Sequence, residues 1–208
     1  PKPRMPLQHL LALLLLTVSV AGAGELYVST DGSDGDTGTI ERPYRTIDYA
    51  ARRANPGDTI FVRGGTYFER VSPNRSGTAS QRITIRNYPG ESPIIDGSGQ
   101  PVGGQTPMIE IDDESYLTID GFQIRNLTTS TKSRTPLGIL VSGPSIGIEI
   151  LNCEIYNIRN TGGSGNAHGI LVEGTDNIPI SGLLIRGNEL RDLVLGTSET
   201  LVVNGNVD

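Results

Sequence analysis

The chain has 208 residues, 36% of them hydrophobic, with 17 Lys and Arg against 23 Asp and Glu, the size and apolar content of one globular domain with a sizeable core. A formal charge of −6 argues against a nucleic-acid partner, because affinity for phosphates needs a clustered basic surface. With 27 Gly, 5% aromatic residues and no Trp, a helix bundle is a poor fit; tight turns around small repeated packing units are expected.

Residues 5 to 23 read MPLQHLLALLLLTVSVAGA, led by Lys2 and Arg4. A short basic lead, an apolar run too short to span a bilayer comfortably and an Ala21-Gly22-Ala23 end are the layout of a secretory signal peptide. Its removal takes away two cations and no acid, so −6 becomes −8. The expected location is secreted, extracellular or periplasmic, with no membrane attachment after cleavage. Residues 24–59 are expected to hold a strand, an acidic loop and one helix. The loop DGSDGDTG (Asp31 to Gly38) has close carboxylates but not the twelve-residue loop with a terminal Glu of an EF-hand, and reads as an acidic turn. Thr46 is placed to cap a helix whose apolar Ile47, Ala50, Ala51 and Ala54 share one face and which stops at Pro56-Gly57.

Six segments then repeat one pattern: IFVRGGTY from Ile60, ITIRNYPG from Ile83, LTIDGFQI from Leu117, IEILNCEI from Ile148, LLIRGNEL from Leu183 and LVVNGNVD from Leu201. Aligned on their apolar first and third positions, each reads as a strand with one buried face. The fifth position is Gly64, Asn87, Gly121, Asn152, Gly187 and Gly205. Gly and Asn enter the left-handed region most easily, so a strand, a one-residue bend and a second short strand are expected each time. Further apolar runs lie between, MIEI from Met108 and GILV from Gly138 and again from Gly169, as three strands per coil would require. The uneven spacing describes coils of about two dozen residues with insertions. The fold expected is an all-β parallel solenoid over residues 60–208, with the helix as its N-terminal cap. Four residues precede Met5 and LVVNGNVD stops inside the repeat, so the chain is expected to be a C-terminally incomplete fragment whose open end exposes apolar core.

The stretch YVSTDGSDGDTGTIERPYRTIDYAARRANPGDTIFVRGGTYFERV, followed by RITIRNYPGESPIIDG, resembles the opening of secreted right-handed parallel β-helix proteins of the pectin-lyase-like superfamily. The similarity runs over residues 25 to 208 and is nearest to the pectate lyase family nine and chondroitinase B kinds. It implies a polysaccharide lyase acting on an acidic, uronate-containing glycan by β-elimination. It also implies Ca2+ held by Asp, Glu and Asn side chains, and a Lys or Arg as base. One cysteine, Cys153, and two histidines, His9 and His168, give no zinc constellation, so oxygen ligands suit any metal here.

Lysine is scarce: Lys2 lies in the signal, and Lys132 sits in the Ser/Thr-rich NLTTSTKSRTP, where a solvated loop charge is the plainer reading. A catalytic base is therefore not assigned. HGILVEGTDN and TSETLVVNGN place His168, Glu173, Asp176, Glu199 and Asn204 next to strand ends that stacking would bring into one groove. Glu173, Asp176 and Glu199 are the candidate metal ligands. His168, Arg186 and Asn204 are the candidate substrate contacts. Turn residues that cap backbone groups are the competing explanation for the acidic and amide positions. Arg63, Arg86, Asp120, Leu151, Arg186 and Asn204 fall at the fourth repeat position, where arginine forks can clamp carboxylates or simply solubilise a strand. Phe122, Cys153, Asn188 and Asn206 follow the bend and read as an internal stack. A non-catalytic adhesion or glycan-binding module is the alternative function, and a uronate epimerase shares the proton-abstraction step.

Overall fold

The computed structural model describes residues 22–174 and 177–208. Nearly all of the expected signal segment, and Asp176, lie outside them. The chain opens with β1 (Glu25–Val28) and the helix α1 (Ile47–Ala51). The next turn holds β2 (Thr59–Val62) and β3 (Gly65–Tyr67), and the one after it β4 (Ile83–Asn87), β5 (Pro93–Asp96) and β6 (Gln105–Asp112). Two fuller turns follow. The first is β7 (Leu117–Asp120), β8 (Gln123–Arg125), β9 (Thr128–Thr129) and β10 (Thr135–Ser142). The second is β11 (Glu149–Leu151), β12 (Glu154–Tyr156), β13 (Arg159–Asn160) and β14 (His168–Gly174). The last carries β15 (Leu184–Arg186), β16 (Glu189–Arg191) and β17 (Leu201–Gly205).

These strands stack into an all-β solenoid of about six turns, in three main parallel sheets. The first sheet is β1-β2-β4-β7-β11-β15, the second β3-β5-β8-β12-β16 and the third β6-β10-β14-β17, with a short β9-β13 pair between the second and the third. The core is built from columns of like residues. Ile60, Ile85, Ile119 and Ile150 lie in register on successive strands and are almost wholly buried. Each such side chain contributes roughly 1.5–3 kcal/mol relative to an exposed one.

Bends between the first and second sheets sit at Gly121, Asn152 and Gly187, with φ of 78°, 50° and 70°. At Gly121 a side chain is also excluded sterically, because a Cβ would lie 2.4 Å from Asn87 Oδ1. Two of the six aligned repeats are corrected by the register. Ile60 pairs with Ile85, not Ile83, so the first repeat is offset by two residues, and neither Gly64 nor Asn87 is a left-handed corner. The segment from Leu201 belongs to the third sheet, where Leu201 pairs with Ile170. The apolar alternation is the same on either sheet, so periodicity could not separate them. The fourth-position column is therefore Phe61, Arg86, Asp120, Leu151 and Arg186, without Arg63 or Asn204.

Asn188 satisfies turn backbone beside Cys153: its Oδ1 accepts from the Cys153 N–H at 2.9 Å and its Nδ2 donates to the Ile150 carbonyl at 2.8 Å. Asn206 follows β17 and pairs its main chain with Gly174 and Ile180, outside that stack. The helix is capped by Thr46, whose hydroxyl accepts from the Tyr49 N–H at 3.3 Å, and it packs its buried Ile47, Ala50 and Ala51 beside β1 and β2. In the acidic loop, Asp34 Oδ1 accepts from the Arg45 and Thr46 N–H groups and Asp36 pairs with Arg42, so these carboxylates fasten the loop.

Candidate functional site

Three of the polar sequence candidates, His168, Glu173 and Asn204, lie on the third sheet. Its inward residues, Ile109, Ile139 and Ile170 with Ile111, Val141 and Val172, belong to the main core. Leu137, Leu140 and Leu171 form a separate cluster, with Val202 against it, on the outward side. The backbone bends beside this cluster. Pairing skips Gly138 and Gly169, and the N–H groups of Gly169 and Ile170 both donate to the Thr200 carbonyl, at 2.9 and 3.1 Å. Two donors on one carbonyl mark a bulge, which kinks the strand. Glycine is required there, since a Cβ on Gly138 would meet the Gly169 carbonyl oxygen at 2.4 Å.

The kink folds the outer face into a crease. Gln105 begins β6, whereas Glu173 lies in the row of Asp112 at the end of that strand. In a straight sheet, positions seven residues apart are separated by about 23 Å. Yet Gln105 Nε2 donates to Glu173 Oε2 at 3.2 Å, so the two ends of the sheet face each other across the leucine cluster. Along one lip runs a row of polar residues in register, Asp112, Ser142, Glu173 and Asn204. Ser142 Oγ donates to Asp112 Oδ1 at 2.8 Å.

On the other side of the bulge His168 is aligned with Leu137 and is 8% exposed. Its Nδ1 lies 2.8 Å from the Glu199 carbonyl oxygen. A carbonyl only accepts, so Nδ1 carries the proton and Nε2 is the basic nitrogen of the ring. His168 is thus anchored to the main chain beneath the surface, tying the end of the strand to the residue 199 carbonyl. Glu173 and Asn204 are neighbours in one row, and the exposed Glu199 leads into β17. Arg186 lies apart from all of them, exposed on β15 of the first sheet. Further along the same column, Arg86 is paired with Asp120 at 3.2 Å. Among the described residues no three carboxylate, imidazole or thiol groups come close enough to hold a metal ion. The candidate calcium ligands Glu173 and Glu199 therefore do not form a site by themselves, and the third, Asp176, is outside the described residues.

Asp112, Ser142 and Gln105 escaped the sequence argument, although a signal for two of them was present. Aligning IEID, ILVS, ILVE and LVVN places Asp112, Ser142, Glu173 and Asn204 in one column after the apolar runs. Gln105 carried no such signal, because its approach to Glu173 depends on the bend.

Comparison with known proteins agrees with this architecture. Residues 26–180 match the family model described as Pel9A-like, right handed beta helix region. Over 191 residues the chain is 42% identical to the uncharacterized protein YwoF of Bacillus subtilis (strain 168), covering 90% of this chain and 40% of that protein. Over 81 residues it is 47% identical to pectate lyase PEL9 of Emericella nidulans, covering 38% of this chain and 20% of the lyase. Among solved structures, the GH136 lacto-N-biosidase of Eubacterium ramulus superposes with a TM-score of 0.66 at 20% identity, over 79% of this chain and 34% of that one. The chain spans two fifths or less of the length of these curated relatives. No helix among the described residues is long and apolar enough to cross a membrane.

Proposed function

The chain belongs to the Pel9A-like right-handed β-helix family, and on that premise we propose that it belongs to a secreted polysaccharide lyase that cleaves an acidic glycan by β-elimination. The observation that carries this reading is the crease of the third sheet. Successive strands repeat their outward groups about 4.8 Å apart along the solenoid axis, a spacing comparable to one sugar ring. Asp112, Ser142, Glu173 and Asn204 thus present acceptors and donors in the direction a polymer would run. The identity to pectate lyase PEL9 supports the same class of substrate.

In β-elimination a base removes the proton on the carbon that bears the uronate carboxylate. A double bond forms to the neighbouring carbon, and the glycosidic oxygen leaves from it with the bonding pair and takes up a proton. That proton is weakly acidic until the carboxylate charge is neutralised. Calcium would supply the neutralisation in this reading, although no three carboxylate, imidazole or thiol groups among the described residues come together to hold it. The part of this chain is to bind and align the polymer: Ser142 and Asn204 with hydrogen bonds to sugar hydroxyls, Glu173 and Asp112 as acceptors.

The test is the ultraviolet absorbance of unsaturated uronate, followed with full-length protein on pectate, alginate and chondroitin, with calcium and with chelator. A rise on one polymer that chelator abolishes and calcium restores is the expected result. No rise on any of them overturns the lyase reading; polymer binding without cleavage would then favour the glycan-binding module.

A further inference from the structure

Around the corner from the crease lies a second concavity with the opposite electrostatic character. It is a cleft of about 680 Å³ between the Gln100–Val102 segment and the β9-β13 pair, within the size range of ligand sites. Its lining includes Thr128, Thr129, Thr161, Asn157 and two arginines, Arg134 and Arg159, and no Asp or Glu is among the described residues that line it. In a chain of net charge −6 that composition stands out.

These two arginines lack the carboxylate partner that seven of the other twelve described arginines have. Arg42, Arg52, Arg63, Arg82, Arg86, Arg125 and Arg191 are each matched to a carboxylate. No carboxylate within ion-pair distance is found for Arg134 or Arg159 among the described residues, and the Nε of Arg159, like that of the ion-paired Arg86, is buried without a hydrogen-bond partner. A buried donor left unmatched costs roughly 1–3 kcal/mol, a cost that a bound ligand at the cleft would relieve.

The cleft is also built to hold its shape. Asn160, wholly buried next to Arg159, donates to the carbonyls of Arg134 at 2.6 Å and Thr131 at 3.2 Å and accepts from the Gly162 N–H at 2.9 Å. One side chain therefore ties the loop bearing Lys132 and Arg134 to the strand bearing Arg159. Arg159 lies in register with Thr128 on the preceding turn, so a guanidinium and a hydroxyl stand side by side on the cleft floor.

We propose that this cleft is an accessory site for a carboxylate-bearing sugar unit of an acidic glycan, with Arg159 and Arg134 taking the carboxylate and the threonine hydroxyls and Asn157 the ring hydroxyls. A planar guanidinium fork matches a carboxylate in two hydrogen bonds, and a row of hydroxyls on consecutive turns suits a neutral polyol face. The proposal rests on the acidic-glycan reading above but not on cleavage. The site would hold the polymer to the solenoid beside the third sheet.

The experiment is hydrogen exchange of the full-length protein with and without a galacturonic acid trimer, in chelator, with the fully methyl-esterified trimer and inorganic sulfate as comparisons. The acidic trimer is expected to slow exchange over residues 128–134 and 157–161. Arg134→Ala, which removes an exposed side chain, and Arg159→Met, which keeps the buried stem, should each raise the trimer concentration needed at least tenfold while leaving the exchange of the core strands unchanged. No protection by the trimer overturns the proposal. So does equal protection by the ester or by sulfate, or wild-type behaviour of both variants. Arg159-dependent protection together with no ultraviolet rise on any polymer would remove the lyase reading and leave the cleft standing; the reverse result would remove the cleft alone.

Discussion

Replacing Asp96 by Asn tests whether the corner that leads from the second sheet toward the β9-β13 pair is held by charge. Asp96 is 3% exposed and gathers three donors: the Ser98 N–H at 2.9 Å, Arg125 Nε at 2.7 Å and Asn126 Nδ2 at 2.9 Å. Asn126 in turn accepts from Asn157 Nδ2 at 2.6 Å, so one carboxylate anchors a chain of amides across three turns. Burial pushes the Asp96 carboxyl up, but the donors from Ser98, Arg125 and Asn126 outweigh it and hold the group below its ordinary value of 3.8. An amide at this position keeps one acceptor and turns an N–H toward Arg125 or Asn126. Hydrogen bonds to charged groups are worth about 1.5–3 kcal/mol each, and Arg125 stays partly solvated and bonded to Tyr156, so a loss of about 2 kcal/mol is expected at neutral pH. Because the folded carboxyl titrates below the unfolded one, this stability is fully present above the unfolded value and disappears as pH falls through the folded one. Urea unfolding followed by circular dichroism at pH 6 and at stepwise lower pH measures it. The gap between wild type and Asp96→Asn should be open at pH 6 and close at pH values below 3.8. A gap under about 0.5 kcal/mol at pH 6, or one that does not narrow in acid, would refute the charge-anchor account.

Phe122→Ala should cost about 3–5 kcal/mol by the same unfolding assay, because Phe122 is 1% exposed in the column that includes Cys153. Gly121→Ala should be far worse than Asn152→Gly at the next corner, since only the first forces a Cβ to within 2.4 Å of Asn87 Oδ1; the two unfolding midpoints check it. Burial pushes the Cys153 thiol up to about 12, so a thiol reagent should label it only after denaturation, and labelling of native protein at neutral pH would contradict its buried position. A polypeptide of residues 24–208 should self-associate, because Leu201 and Val203 continue inward columns yet are 42% and 51% exposed; a monodisperse profile in sedimentation would oppose this.

What the sequence could say about this fold followed the physics of its signals. Apolar alternation and Gly or Asn at the corners are local, so the parallel solenoid, the three strands per turn and the corner residues Gly121, Asn152 and Gly187 were all readable. Register is a relation between turns of unequal length. The same alternation therefore placed Ile60 two residues out, and placed Leu201 in the wrong sheet. Column-based readings inherited those slips: Asn204 was set beside Arg186, whereas it stands beside Glu173.

The candidate site was legible to the degree that it depends on a row along one sheet, and obscure where it depends on the bulge. Two glycines in the repeated GILV runs, Gly138 and Gly169, read as ordinary strand residues, since a Gly in an apolar run predicts no direction of bending. Yet they turn an outward row into a crease, bury Leu137, Leu140 and Leu171 on the outside of a solenoid, and bring Gln105 to Glu173. The bend also divides labour on the surface. The crease carries the carboxylates of Asp112 and Glu173, whereas the cleft carries Arg134 and Arg159 with no Asp or Glu among the described residues that line it. Two faces of opposite sign thus lie close together; in the proposed reading the basic one would hold an acidic chain while the carboxylate-lined one stays available for the reaction.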